Sequence, residues 1–224
     1  MLDPNLEIKQ NEFMENENWN NYAILNSDSV PNLLLELEKE TYQKVLQPRM
    51  LSGSLQGRLL SLFSNIIKPK TILEIGTYTG YSTICLAEGL PKNGKIHTID
   101  NNEELVAIQN KYFKKSGVEK KIFFHLGNAV EIIPKLKGPF ELVFIDADKI
   151  NYEKYFDFVI PKMSKGGLII SDNVMWNGKV LDEFDSMDES TVALKKYNKK
   201  LKNDPRVKTT ILPFRDGLSL SWVI

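Results

Sequence analysis

Two apolar runs in the chain end in oxygen-bearing side chains: VFIDADK, from Val143 to Lys149, and IISDN, from Ile169 to Asn173. Asp146, Asp172 and Asn173 supply carboxylate and amide oxygens. Hard divalent cations such as Mg²⁺ prefer these donors and keep other positions open for water or a substrate oxygen. Lys149 follows in the same turn as Asp146, which puts an amine beside the oxygen ligands. Singly, each residue has a plainer explanation: acids at strand ends start loops or cap helices, and most lysines are solvated. The three oxygen donors with one lysine point instead to an enzyme that uses a cation.

A second constellation lies at LEIGTYTGYS, Leu73 to Ser82, where an apolar run turns into a helical pattern through Gly76 and Gly80. Glycines in such a turn let the backbone approach a ligand closely, and the helix start offers unpaired N–H groups. The spacing is G-x-x-x-G, not the G-x-G-x-x-G that cradles a pyrophosphate, and Glu74 sets a carboxylate just before the turn. That carboxylate repels a diphosphate and attracts a cationic ligand. Asp100, at the end of the next apolar run, stands where an acid accepts hydrogen bonds from both hydroxyls of a ribose. An adenosine that carries positive charge and no phosphate satisfies both features.

The elements that must position these residues are legible as periodicity. A helical pattern starts near Ser29 and Pro31, with Leu33, Leu34, Leu37 and Val45 on one stripe, and a second helix covers about Gly53 to Ile67. Beyond Pro69, short apolar runs alternate with amphipathic stretches, the signature of βα units and a parallel sheet. Strands are expected at TILEI, KIHTID, KIFFHL, FELVFID and GLIISD. Helices are expected over about Tyr81 to Glu88, Asn102 to Lys115, Ala129 to Leu136, Asn151 to Ile160 and Glu189 to Leu201. VKTTIL and LSLSWVI are joined only by Pro213 to Gly217, too short a link for a parallel crossover. The expected fold is therefore α/β and Rossmann-like. Its seven-stranded, mainly parallel sheet has an antiparallel last strand and helices on both faces.

The chain of 224 residues reads as one globular domain, 29–224, preceded by a flexible arm, 1–28. No apolar stretch reaches the roughly 20 residues of a membrane span, and the Asn- and Glu-rich start lacks the apolar segment of a signal peptide, so a cytoplasmic protein is expected. Cys85 is the only cysteine, which excludes an internal disulfide. Zero formal net charge gives no global pull toward nucleic acid or anionic membrane. His97 and His125 fall inside expected strands and read as structural histidines.

Taken together, these motifs resemble the cation-dependent class I S-adenosylmethionine (SAM) O-methyltransferases of the caffeoyl-CoA and catechol group. The resemblance runs from about Met50 to Ile224. It is carried by LEIGTYTGYS, HTID, GNA at Gly127 to Ala129, FIDADK, SDN with the following WNG at Trp176 to Gly178, and DGLSLS near the end. It implies that Glu74, Gly76 and Ser82 hold the methionine part of SAM, Asp100 the ribose and Ala129 the adenine. Met50, Ser52 and Asp146 would also border the cofactor, although packing or capping explains Met50 and Ser52 nearly as well. Asp146, Asp172 and Asn173 become the metal ligands, for Mg²⁺ with Mn²⁺ or Ca²⁺ as alternatives, and Lys149 the general base. A phenol is mostly protonated at neutral pH, so methyl transfer to it needs such activation. A lysine serves as base only where a nearby cation or burial favours the neutral amine. Asp148 is a weaker candidate contact. Trp176 is either a wall for an aromatic acceptor or a buried anchor of its loop.

The resemblance further implies a small phenolic acceptor with vicinal hydroxyls, and a homodimer joined through the first helix and the arm. Related enzymes that methylate 5-hydroxyuridine in tRNA provide the alternative acceptor, which the basic run Lys195, Lys196, Lys199, Lys200 and Lys202 keeps open. Against it, Asp182, Glu183, Asp185, Asp188 and Glu189 would disfavour phosphate-rich acceptors, unless they merely form an acidic helix start. A nicotinamide oxidoreductase is the expectation of a different class.

Overall fold

The structure is a computed structural model, and it describes residues 18–181 and 188–224. Short apolar runs become strands β1 Thr71–Ile75, β2 Lys95–Asp100, β3 Ile122–Leu126, β4 Phe140–Ile145 and β5 Met163–Ser171, and the two final runs become β6 Val207–Leu212 and β7 Leu218–Val223. The seven strands form one sheet in the order β3-β2-β1-β4-β5-β7-β6. Strands β1 to β5 pair in parallel, and β7 runs antiparallel to both β5 and β6. The short link forces that reversal, as expected, and β7 slots between β5 and β6 instead of forming an edge.

Eight helices surround the sheet among the described residues: α1 (residues 18–25), α2 Asn32–Lys44, α3 Gly53–Ile67, α4 Tyr81–Ala87, α5 Val106–Lys115, α6 Ala129–Ile132, α7 Tyr152–Val159 and α8 Glu189–Asn203. Side chains alternate across each strand, so the sheet feeds two cores. Ile72, Ile96, Leu142, Phe144 and Ile170 pack with Leu34 and Leu37 of α2, Leu60 of α3, Tyr81 and Ile84 of α4, and Tyr112 and Phe113 of α5. Leu73, Ile75, Ile99, Val143, Ile145 and Ile169 pack with Tyr155 and Phe156 of α7 and Leu194, Tyr197 and Leu201 of α8. None of the helices is long and apolar enough to cross a membrane among the described residues.

Three local expectations need correction. Val45 lies beyond the α2 stripe as its C-cap, and Thr41 takes the buried place one turn earlier. β5 begins at Met163, not Gly167, because a bulge shifts its register against β4 between Phe140 and Leu142. The helix expected through Leu136 stops being α-helical at Ile132, where Pro134 tightens the next turn to 3₁₀.

On β2 and β3 the two histidines meet, with His97 Nδ1 and His125 Nε2 3.0 Å apart and their rings stacked. Only one nitrogen can donate, so the contact needs at least one neutral ring. Burial, followed by the neighbouring His125, pushes His97 down to about 4, and burial lowers His125 as well. Folded pKa values below the unfolded value of about 6.5 give stability that is complete above that pH and is lost as pH falls toward 4. Discounted for the half-buried setting, the pair is expected to cost about 1 kcal/mol between pH 7 and pH 5. Thermal melts should show the double variant His97→Phe/His125→Phe losing less over this interval than the unaltered chain, and parallel losses would refute the assignment.

Candidate functional site

The strand order reverses where β1 leaves β4 on one side and β2 on the other, and in open α/β sheets that switch opens a crevice beyond the strand ends. Here the chain links consecutive strand tips by hydrogen bonds: Asp146 N–H to the Ile75 carbonyl at 2.8 Å, Gly76 N–H to Ile99 at 2.9 Å, Gly127 N–H to Asp100 at 2.8 Å and Asp172 N–H to Ile145 at 2.9 Å. Above these tips lies one cavity of about 1640 Å³. Met50, Ser52, Gly76, Ser82, Asp100 and Ala129 line it at one end, with Asp146, Asp148, Lys149, Asp172, Asn173 and Trp176 at the other. Residues from distant parts of the sequence therefore converge as expected.

Gly76 has φ 99°, and a Cβ there would sit 1.9 Å from the carbonyl oxygen of Asp146. Close passage of two strand ends is by itself enough to require this glycine. The turn that follows is braced by Asp100. Its Oδ2 accepts from Thr77 N–H at 3.0 Å and Tyr78 N–H at 2.7 Å, and its Oδ1 from Asn102 N–H at 2.9 Å. A carboxylate offers about four lone-pair sites, so one site, on Oδ1, is left for a ligand hydroxyl. Met50 is 58 % exposed at the cavity rim, which removes the core-packing explanation, and the Ser52 side chain makes no capping bond to α3.

Glu74 is the one residue of the expected set that does not line the cavity. Its carboxylate is fully buried beneath the turn, where Thr98 donates to it at 2.6 Å and Thr83 also donates. Burial pushes this carboxyl up to about 7, against the pull of hydroxyls from Ser82, Thr83 and Thr98. Glu74 therefore supports the turn from below through Thr98, which in turn meets the Thr77 hydroxyl at 2.5 Å.

At the other end, Lys149 is buried with its three N–H groups committed: to Asp146 Oδ1 at 3.0 Å, Asn173 Oδ1 at 2.8 Å and the Tyr152 hydroxyl at 2.7 Å. Tyr152 donates onward to the Asp172 carbonyl at 3.0 Å. Asn173 adopts φ 57°, which turns its amide toward the lysine. The Asp172 carboxylate accepts from Gln56 Nε2 at 2.6 Å and from the Asn173 N–H at 2.8 Å. Burial first, then the charge of Asp146, pushes the Asp172 carboxyl up to about 6. Asp148 is held by Tyr155 and Asn151. The Trp176 ring lies 5.8 Å from Lys149 Nζ, and three successive residues from Trp176 to Gly178 adopt positive φ.

Among the described residues no three His, Cys, Asp or Glu converge on one point. The cation candidate is instead two carboxylates with an amide oxygen, without sulfur or imidazole, and this donor set suits a hard divalent ion. Two of the three side chains already share Lys149 as a positive partner, so the pocket is built for positive charge.

The sequence reading missed Gln56, Tyr152 and Arg215. Gln56 carried a usable signal, since it falls with Leu60 and Ser64 on the buried stripe of α3, where an uncharged polar side chain needs a partner. Asp188 caps α8 through Thr191 N–H at 2.9 Å and pairs with Lys179 at 2.9 Å, the acidic helix start allowed for above. Asp182, Glu183 and Asp185 lie outside the described residues. In the basic run, Lys200 pairs with Asp157 of α7 at 2.7 Å.

Residues 25–224 match the family model described as O-methyltransferase. The chain is 37 % identical over 177 residues to a catechol O-methyltransferase of Niastella koreensis, covering 75 % of this chain and 80 % of that protein. It is 34 % identical over 226 residues to a caffeoyl-CoA O-methyltransferase of Stellaria longipes, covering 95 % and 93 %. Among solved structures, it superimposes on the SAH-bound methyltransferase PaMTH1 of Podospora anserina with a TM-score of 0.87 at 28 % identity, over 94 % of this chain and 96 % of that one. An O-methyltransferase from Bacillus cereus in complex with SAH gives 0.85 at 29 % identity, over 91 % and 96 %.

Proposed function

The chain belongs to the O-methyltransferase family, and from that premise we propose that it moves the methyl group of SAM to one hydroxyl of a vicinal-dihydroxy aromatic, with Mg²⁺ or a similar cation held by Asp146, Asp172 and Asn173. The observation that carries this reading is the single cavity, in which Asp100, Gly76 and Ser82 share a wall with Lys149 and the three oxygen donors. When bound, such a cation supplies Lewis acidity and fixes the aim of two adjacent hydroxyls. Catechol and caffeoyl-CoA in the names of relatives support this acceptor class.

Each residue then has a defined task. Asp100 accepts a ribose hydroxyl at its remaining site while its bonds to Thr77 and Tyr78 keep the turn in place. Ser82, Gly76, Ala129 and Ser52 line the cofactor end, and Met50 lies at its rim. With a cation on Asp146 and Asn173, which favours the neutral amine of their neighbour Lys149, Nζ would take the proton of the attacking hydroxyl as that oxygen displaces the sulfonium, so one O–C bond forms, one S–C bond breaks and S-adenosylhomocysteine leaves. Tyr152 anchors the lysine from below, and Trp176 lies against the space over it. We also propose that two copies associate through the N-terminal region, a reading supported by the exposed Trp19, Tyr22 and Leu25 on α1.

Methyl-labelled SAM incubated with caffeate tests the reaction. Label is expected in the phenol with Mg²⁺, with at least a hundredfold less after chelation or in Asp172→Ala. Absence of transfer in a preparation that demonstrably binds SAM would remove the small-phenol reading and direct the assay to hydroxyuridine-containing tRNA.

A further inference from the structure

We propose that Gln56 and Arg215 act in series as positioning residues for the Asp172 carboxylate, an assignment that rests on the cation reading above. Arg215 lies in the turn between β6 and β7, and its Nη1 donates to the Ser52 carbonyl and to Gln56 Oε1. Gln56, fully buried on α3, then donates from Nε2 to Asp172 Oδ2 at 2.6 Å. The amide has only one orientation that serves both neighbours. A guanidinium has no acceptor and a carboxylate no donor, so Oε1 must face Arg215 and Nε2 must face Asp172. Removing the arginine leaves Asp172 alone to hold the amide, so the pair is anchored at one end only and the carboxylate can rotate away from Asp146 and Asn173.

The turn that carries Arg215 is built to hold it there. Val174 N–H donates to the Gly217 carbonyl at 3.1 Å, Met175 N–H to the Asp216 carbonyl at 2.9 Å, and Asn177 N–H to the Asp216 side chain. The segment after the oxygen ligands and the β6–β7 turn are thus tied backbone to backbone. Arg215 itself has φ 51°, a left-handed conformation that costs of order 1 kcal/mol or more in a non-glycine residue and persists where its surroundings over-determine it. A Cβ on Gly217 would come within 2.4 Å of the Met175 side chain, so this approach admits only glycine. One turn therefore braces both flanks of the oxygen site: the Asn173–Trp176 loop through its backbone and Asp172 through the Arg215 side chain.

Outer partners of metal ligands are each worth about 10- to 100-fold in affinity. Mn²⁺ binding measured by calorimetry, without SAM or acceptor, is expected to weaken about tenfold in Gln56→Met and in Arg215→Met. The double variant should be no weaker than either alone, because links in series are not additive. Arg215→Lys should restore part of the affinity, and turnover of Arg215→Met should approach the unaltered value at saturating Mn²⁺, so that the apparent KM for the cation moves more than kcat. Arg215 is exposed on a surface turn, so its variants keep the test available if Gln56→Met fails to fold. Unchanged Mn²⁺ affinity in Arg215→Met, or additive losses in the double variant, would overturn the relay alone. Failure of the unaltered protein to bind Mn²⁺ would overturn both the relay and the cation reading.

Discussion

Lys149→Met is expected to lower turnover by about 10²- to 10⁴-fold, the range lost when a positioned base is removed, while SAM affinity stays within about threefold. The geometry separates these effects. Among the described residues Lys149 hydrogen-bonds to Asp146, Asn173 and Tyr152, and the residues that brace the cofactor turn, Asp100 and Thr77, make their own contacts. Mn²⁺ should bind the variant no more weakly than the unaltered chain, because the substitution removes a competing positive charge from two of the three oxygen donors. Lys149→Arg distinguishes a base from a structural cation. A guanidinium can replace the ion pair with Asp146 but does not give up its proton under these conditions, so Arg should fail to restore turnover. Near-normal activity in Lys149→Arg would reduce Lys149 to a brace for Asp146 and Asn173.

Much of this site was legible because apolar runs announce their own ends. Asp146 and Asp172 each follow directly on a buried strand, and parallel strands from β1 to β5 must present those ends on one edge of the sheet. Face was harder to read than position along the chain. Glu74 precedes the glycine turn, and both that place and the family resemblance point it toward the cofactor. Strand alternation places its side chain with Ile72 and Thr98, on the side that packs under α4, and that parity is available in the sequence. Arg215 and Gln56 show the opposite case. They are 159 residues apart, and no local pattern foretells that the β6–β7 turn returns over the start of α3. That contact exists because β7 inserts beside β5 and brings its turn to the tip that carries Asp172. The extra residues at the start of β5 were hidden as well, since Lys165-Gly166-Gly167 has the composition of a loop yet runs on as a bulged strand.

Gly76→Ala is expected to destabilise the fold by more than about 3 kcal/mol, well outside the usual range for one methyl group. Two costs combine: φ 99° is strained for any side chain, and the new Cβ would fall 1.9 Å from the Asp146 carbonyl oxygen and 2.7 Å from its carbon. Those atoms are the backbone of Asp146, at the neighbouring strand end, and have no rotamer to yield. Gly117 isolates the first cost, because it has φ 72° with no atom within 4 Å of an added Cβ and follows α5 away from the cavity. Gly117→Ala should cost only about 1 kcal/mol, a fall of about 2–4 °C in Tm for a chain of this size, whereas Gly76→Ala should fall by about 10 °C. The consequence reaches function through the same contact. Gly76 opens the cofactor turn and Asp146 heads the oxygen donors, so any relaxation that relieves the clash must part the two halves of the cavity. A folded Gly76→Ala protein should therefore lose SAM and Mn²⁺ affinity together. If it melted within 4 °C of the unaltered chain and kept both affinities, the two half-sites would be independent, and the close passage of Gly76 over Asp146 would be a packing detail with no part in joining them.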